Sequence, residues 1–474
     1  MSDAGHDESG NALTDFLGDL AHFFSENKSV ILMIIFVVVL YFIDQELMLQ
    51  VIAFYILLRV AFKLWMHYIQ QDFITGIDYV LLEVIPPRDV LRSPRAMELF
   101  FTNALYHFSN KGGLEWFWQG AVWFWYSLEI VSIEGQVHFY IRTPTRLKDL
   151  IETQIYAQYP QAQIKVAEDY TLAVDEITPE SAWRGWGCEF KLAKHHAYPI
   201  KTYVDYGLDK DPKEEQKIDP LSPVIELFSS LGTGEQYWLQ FVIRPSKVEF
   251  EEHGHGHPME PIWPGETGHD WVKEAELELE RMTEVWTKKE VLPDGRILKS
   301  GRPPDSMKNQ IDGINRKISK IAFDTGIRAF YVAKKENWSM NHRRDIRLIF
   351  RQYANPQLNS LERTNSTQAD AFGGSFLSSF FLLSPKKTMI LVNRMLLEYR
   401  ERAFFHHPLR NQLLHNIPWP ISPMLFPAYM HSHTYVLNVE ELATLWHFPG
   451  QILKVPTLER VESKEASPPT NLPT

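Results

Sequence analysis

The alternation of apolar and polar positions divides the chain into a membrane-like N-terminal part and a longer part of mixed strand and helix pattern. Residues 30–43, VILMIIFVVVLYFI, form an unbroken apolar run of fourteen residues. That is short of the roughly 20 that a helix needs to cross a bilayer. After the acidic DQE at 44–46 the apolar pattern resumes as LMLQVIAFYILLRVAFKLWMHYI, with Arg59, Lys63 and His67 recurring every four residues on one helical face. Trp65 and Tyr68 add interfacial aromatics there. The preferred reading is a membrane anchor over 29–70, a helical hairpin whose acidic loop faces outward and whose first helix is lengthened by 23–29. A single long span with an interfacial helix is the alternative. A cleaved signal peptide is disfavoured, because MSDAGHDESG is acidic and no A-x-A site follows the apolar run. Arg59, Lys63, Arg88 and Arg92 place the remaining chain in the cytoplasm by the positive-inside rule.

Within the acidic segment 1–28, Leu13, Phe16, Leu17, Leu20, Phe23 and Phe24 share a helical face with Asp15 and Asp19 opposite. It reads equally as a surface-lying or partner-touching helix and as a solvated leader.

Beyond the anchor, IDYVLLEVIPP has strand content, and SPRAMELFFTNALYHF offers Ser93 as N-cap, Pro94 at the first helical position and Met97, Phe100, Phe101, Ala104, Leu105 and Phe108 at helical spacing. VWFWYSLEIVSI and QVHFYIRT are strands joined at Glu134 and Gly135; RLKDLIETQIYAQYP is a helix, and AQIKVAEDY closes the set. The order βαββαβ predicts a ferredoxin-like domain over 76–185. SPRAMELF, HFYIR and IYAQYPQA recur in order as SPVIELF, AFYVA and IFRQYANP, which predicts a second such domain over 186–366, starting with IKTYVDY as its first strand and ending near Leu361. The fold class expected is therefore α+β, a transmembrane hairpin followed by tandem ferredoxin-like domains.

An insertion at 268–323 separates the middle strands of the second domain. Val272, Ala275, Leu279, Met282 and Trp286, then Met307, Ile311, Ile314, Ile318 and Ile321, alternate by three and four around a PDG loop. They predict an antiparallel coiled-coil hairpin, which either packs on its own domain or projects to another protein. Residues 367–440 read as a helical region, and 441–474 as a linker-like segment rich in Pro and small polar residues.

Composition changes this picture little. A chain of 474 residues with 23% charged and 45% hydrophobic residues is long enough for roughly two to four domains. One cysteine, Cys188, excludes an internal disulfide and any CxxC motif. A net charge of -11 confines any nucleic-acid or anionic-lipid surface to a local patch. The P-loop, HExxH and G-x-S-x-G motifs are missing, so no catalytic, cofactor or metal residue is assigned and a non-enzyme is expected. His253, His255 and His257, and the HSHTY at 431–435, read as polar linkers more readily than as metal ligands. The aromatic run at 115–126 fits core and sheet-edge packing better than membrane contact or base stacking. Arg344, Arg347 and Arg351 would align on one helical face and could meet phosphates, although Asp345 and the net charge weaken direct nucleic-acid binding.

The stretches SLEIVSIEGQVHFYIRTPTRLKDLIETQIYAQYPQAQI, EFKLAKHHAYPIKTYVDY, KIDPLSPVIELF and EELATLWHFPG...VPTLERVESKEASPPTNLP resemble a family of membrane-anchored bacterial proteins, over residues 79–474. In that family a similar region precedes a HerA/FtsK-like ATPase related to the DNA-transfer ATPases of type IV secretion. The resemblance implies a non-catalytic adaptor at the inner membrane, working with a separately encoded P-loop ATPase in DNA or protein transfer. No residue matches a nucleotide-binding position, so ATP hydrolysis is not carried over. Leu442, Leu445, Trp446, Phe448 and Pro449 are the expected docking residues, and Val272, Leu279, Met282, Ile311, Ile314 and Ile318 would line the coiled-coil arm and support a homo-oligomer. A self-assembling envelope scaffold and a membrane-tethered nucleic-acid binder are the alternative readings.

Overall fold

The structure is a computed structural model that describes residues 44–87, 92–107, 113–209, 219–246, 271–286, 288–291, 297–300, 304–367, 385–405 and 434–450. The chain forms two compact units, one of residues 1–72, 112–121 and 253–267, the other of the remainder.

Helix α1 is Gln45–Thr75, 31 residues, of which those up to Asp72 belong to the smaller unit. Asp44 caps it, its Oδ1 accepting from the backbone N–H groups of Glu46 at 2.8 Å and Leu47 at 3.3 Å. The acidic segment expected to be a loop is thus a helix start, while the apolar run at 30–43 lies outside the described residues. Leu49, Phe54, Leu57 and Tyr68 are exposed, whereas Met66 and Ile69 are buried. Gly120 sits against them at φ +62°, where a Cβ would fall 2.3 Å from the Ile69 backbone. Only glycine allows both that dihedral and that approach.

The larger unit is built on one antiparallel sheet of nine strands. After α1 come β1 (Tyr79–Ile85), α2 (Arg95–Phe100, continued by a π turn Phe101–Leu105), α3 (Gly113–Gln119, belonging to the smaller unit), β2 (Tyr126–Ile133), β3 (Gln136–Pro144), α4 (Lys148–Gln158) and β4 (Gln163–Val166). There follow β5 (Trp183–Leu192), α5 (Ser222–Ser229), β6 (Glu235–Pro245), α6 (Trp271–Trp286), the hairpin β7 (Lys288–Val291) and β8 (Ile297–Ser300), and α7 (Asp305–Ile318). The last elements are β9 (Ala322–Lys334), α8 (Met340–Asp345), β10 (Leu361–Thr364), α9 (Pro385–Arg400), β11 (Tyr435–Asn438) and α10 (Val439–Leu445). Strand order is β10-β5-β9-β6-β2-β3-β1-β4, with β11 paired to the start of β9. One spatial order therefore occurs twice, β4-β1-β3-β2 and β10-β5-β9-β6, and the two sets join where β2 pairs β6 from Tyr126↔Ile243 to Ile133↔Gln236.

The β2–β3 turn has Glu134 at φ 53° and Gly135 at φ 86°, the two positive dihedrals that a two-residue hairpin demands. On one sheet face, apolar residues of alternate strand positions pack under α2, α5 and α10, with Met97, Phe100, Ile225, Phe228, Leu442 and Trp446 fully inside. The other face meets α9 and the segment 170–177, through Val392, Met395, Leu396, Tyr399, Tyr170 and Val174.

Three expectations are corrected. IKTYVDY is not the first strand of the second set; β5 is, and 201–209 runs as turns. There the Asp205 carboxylate accepts from the backbone N–H of Thr202 at 2.8 Å and Gly207 lies at φ 70°, which closes the chain rather than extending it. The single helix that would align Arg344, Arg347 and Arg351 is broken into α8 and the 3-10 turns Ile346–Leu348 and Arg351–Tyr353. Residues 441–449 are not part of the linker-like segment, since every one of them is buried. The 268–323 insertion does hold two helices, and they pack on their own unit: Ala275, Met282 and Ile314 are buried together with Ala197, and Tyr198, Leu279, Met307, Ile311 and Ile318 flank them.

Candidate functional site

In an apolar strand, a polar residue at an inward position is costly unless it is paired. Adjacent strands of this sheet place such residues opposite one another. Tyr140 faces Glu83 on one side and Glu129 on the other; Glu129 faces Gln240, Gln240 faces Arg328, and Arg328 faces Glu189. Directly opposed residues share a sheet face, so these form one polar row across six strands, beneath α9 and the turn that follows it.

That turn supplies the neutralising charge. At the end of α9 the Ala403 N–H donates to Glu398 O at 3.0 Å and the Arg402 N–H to Tyr399 O at 3.1 Å, with Arg402 in the left-handed region at φ 51°. The turn carries the Arg402 side chain into the row. Its Nε donates to Glu129 Oε1 at 2.9 Å and its Nη2 to Asp169 Oδ1 at 3.1 Å, while Nη1 also bonds Asp169. Glu129 accepts further from Ser127 Oγ at 2.7 Å and the Tyr170 hydroxyl at 2.8 Å. Burial pushes the Glu129 carboxyl up, but the Arg402 charge and these hydrogen bonds outweigh it and hold the group below the usual carboxylate range. Further along the row, Arg328 Nε donates to Glu189 Oε1 at 3.3 Å and its Nη1 to Ala403 O at 2.6 Å. Asn365 completes Glu189 at 2.8 Å.

A second ionic group fixes α10. Asn438 and Glu441 form a reciprocal capping box. Glu441 Oε1 also accepts from the Ile200 N–H at 2.9 Å, and Lys317 Nζ, wholly buried, lies 2.9 Å from Glu441 Oε2 and donates to Val436 O at 2.8 Å. Burial lowers the Lys317 pKa, opposed by the Glu441 charge. Beside it Glu440 holds Lys320 at 2.8 Å and Arg316 at 3.5 Å.

The third group is more open to solvent. His196 Nε2 lies 3.1 Å and His195 Nε2 3.8 Å from Glu274 Oε2, and the two imidazole rings are 4.3 Å apart. Glu274 stands in the first turn of α6. One turn on, Tyr198 donates to Glu278 Oε1 at 2.9 Å and so holds the histidine segment against that helix.

The residues expected to dock a partner are placed otherwise. Leu442, Leu445, Trp446 and Phe448 belong to the main core, and Pro449 is buried as well. Trp446 and Phe448 pack on Phe139, with ring centroids 5.8 and 5.5 Å away. The arm residues Met282, Ile311, Ile314, Ile318 and Leu279 do come together, whereas Val272 joins a neighbouring cluster with Trp271, Ala322 and Val436. Arg344 and Arg351 are exposed and Arg347 is half-buried, on separate helical pieces rather than one face. His253, His255, His257 and the HSH of 431–433 lie outside the described residues. In the aromatic run, Trp125 and Tyr126 are core, while Trp118 is 62% exposed and packs edge-on to Trp65 at 6.1 Å. The polar row went unread in the sequence. Its signal is one charged or amide residue in the middle of each apolar strand: Glu129 in YSLEIVSI, Gln240 in YWLQFVI, Arg328 in GIRAFYV.

A family model described as Domain of unknown function (DUF8128) matches residues 82–371, which span both sets of four strands. No curated protein and no solved structure matches.

Proposed function

The chain belongs to the Domain of unknown function (DUF8128) family, and from that premise we propose that it is a non-catalytic adaptor anchored at the inner membrane, with its sheet in the cytoplasm. The observation that carries this reading is α1. It is the one helix among the described residues long and apolar enough to cross a membrane. At 1.5 Å per residue its 31 residues extend about 46 Å, more than the roughly 30 Å of a hydrocarbon core. The surplus fits the C-terminal part, where Met66 and Ile69 are buried, and Trp65 and Trp118 mark the interface. Three residues, 76–78, separate α1 from β1. We read each four-strand set as a ferredoxin-like unit, the repeated order β4-β1-β3-β2 and β10-β5-β9-β6 supporting tandem domains fused at β2–β6. The pair α6 and α7 we read as an antiparallel coiled-coil hairpin laid on its own unit.

As an adaptor the chain works with a separately encoded HerA/FtsK-like ATPase in a type IV secretion-like transfer system. Because 439–449 are core, the docking segment is narrowed to 451–474. The test is a tagged full chain in its native membranes. It should remain in the pellet under alkaline carbonate and, after mild solubilisation, bring down a P-loop ATPase that a chain truncated after Gly450 does not. Release by carbonate overturns the anchor. Recovery of the chain alone overturns the ATPase partnership and favours a self-assembling scaffold.

A further inference from the structure

We propose that His195, His196 and Glu274 form a binding site for a Zn²⁺-like transition metal ion, a site beyond the adaptor reading and independent of it. The three side chains converge from two separate parts of the chain, a loop after β5 and the first turn of α6. One ligand atom from each lies within 4.8 Å of the others. Four ligands set tetrahedrally at about 2.0–2.2 Å from zinc stand about 3.3–3.6 Å apart from one another. The Glu274 Oε2 separations, 3.1 Å to His196 Nε2 and 3.8 Å to His195 Nε2, bracket that spacing. All three ligand atoms lie within 4.8 Å of one another, so binding an ion draws the three side chains together.

The chemistry selects the metal. Two imidazoles and one carboxylate suit Zn²⁺, Cu²⁺ or Ni²⁺, whereas Mg²⁺ and Ca²⁺ favour oxygen donors. A cation also makes use of all three groups at once, which a single proton shared between two imidazoles and a carboxylate does not. Three protein ligands leave the fourth position to water. The side chains are 42%, 20% and 30% exposed for His195, His196 and Glu274, so an ion has a path from solvent. Ligation through Nε2 places the ring proton on Nδ1. For His195 this ends the 3.3 Å contact that its Nδ1 accepts from the Ala197 N–H, a long and weak bond.

The support around the site is already formed. Tyr198, two residues beyond His196, donates to Glu278 and touches Met282 Sδ at 3.5 Å, both on the helix that bears Glu274. The loop and α6 are thus held in register before any ion arrives. Bound metal would be a cross-link between the α6–α7 insertion and the loop that follows β5.

The test is titration of Zn²⁺ alone into the metal-stripped, detergent-solubilised full chain by isothermal calorimetry, with Co²⁺ absorption as a second readout of four-coordination. His195→Ala, His196→Ala and the near-isosteric Glu274→Gln are compared with a triple substitution of His253, His255 and His257 to Ala. Circular dichroism melts establish that each variant is folded. The expected result is one equivalent of Zn²⁺ in the wild type and the triple variant, weakened by more than the roughly 10–100-fold typical of losing only a supporting partner in each of the three site variants. Unchanged affinity in folded Glu274→Gln and His196→Ala, or loss of the equivalent in the triple variant alone, overturns the site.

Discussion

Arg402→Met tests whether the polar row is a closed ionic structure that depends on the turn after α9. Arg402 is 1% exposed and Glu129 is fully buried, with Nε and Nη2 of the arginine on the two carboxylate oxygens at 2.9 and 3.3 Å. Methionine keeps much of the volume and bears the same left-handed backbone cost at φ 51°, so the change isolates the charge. Removing one partner of a buried pair costs about 3–5 kcal/mol, because the remaining charge is left uncompensated. Ser127, Tyr170 and Gln240 still donate to Glu129, which puts the expected loss near the lower end, about 3 kcal/mol. At about 2–4 °C per kcal/mol for a body of this size, the melting temperature should fall by roughly 6–12 °C. The assay is thermal unfolding of the detergent-solubilised full chain by circular dichroism, repeated for Glu129→Leu and for the double variant. The double variant should lose less than the sum of the two single ones by at least about 1.5 kcal/mol, since it no longer buries an unpaired charge. A loss below about 1 kcal/mol for Arg402→Met, or strict additivity in the cycle, would refute the reasoning.

Acid should destabilise the sheet-bearing unit. Glu83, hydrogen-bonded at 2.7 Å to His138, and Glu129, Asp169, Asp219 and Glu235 all have folded pKa values below the usual carboxylate range. For each the unfolded chain binds the proton more readily, so the stabilisation is complete above the ordinary carboxylate pKa and is lost as pH falls through the lowered one. Melting temperature should be flat near neutrality and drop from about pH 5 downward; a rise on acidification contradicts it. Lys317→Met leaves Glu441 buried without its cation and should cost about 3–5 kcal/mol, read by urea unfolding, with Glu441→Gln added in a second variant to recover part of it. Gly326→Ala places a Cβ 2.1 Å from the Phe405 ring and should cost about 1–3 kcal/mol by overpacking. The same change in a Phe405→Ala background should cost less, and equal costs would show that the ring does not set the limit. Charge at Leu279 or Ile314 should unfold the α6–α7 packing rather than only separate copies, because both belong to an intrachain cluster.

Much of the order of strands and helices was legible along the chain, where it rests on local physics. Period-two and period-3.6 apolar patterns, the Glu134–Gly135 turn and the helix starts at 93–95 and 222 each act over a few residues. Even the repeat was visible, as short matching stretches in a fixed order. Misreadings arose where distant contacts decide. IKTYVDY has strand composition, but Lys201 N–H is taken by Tyr353 O at 2.9 Å and Thr202 N–H by Asp205, which leaves no ladder to join. The segment 441–449 reads as part of the linker because the Pro-rich and small polar residues that follow it set the character of the whole tail. In the fold its residues pack against β3 and the π turn that continues α2, as Trp446 on Phe139 and Phe101 shows.

The sequence by itself determined an apolar helix, an α+β chain in which short matching stretches recur in order, and two amphipathic helices inserted in its second half. Tertiary structure alone decided which charges meet. Arg402 lies 273 positions from Glu129, and Glu274 follows His196 by 78, from positions 196 and 274. A buried charge in one strand looks like a flaw until its partner arrives from elsewhere, because electrostatic compensation depends on distance in space and periodicity reports only neighbours along the chain.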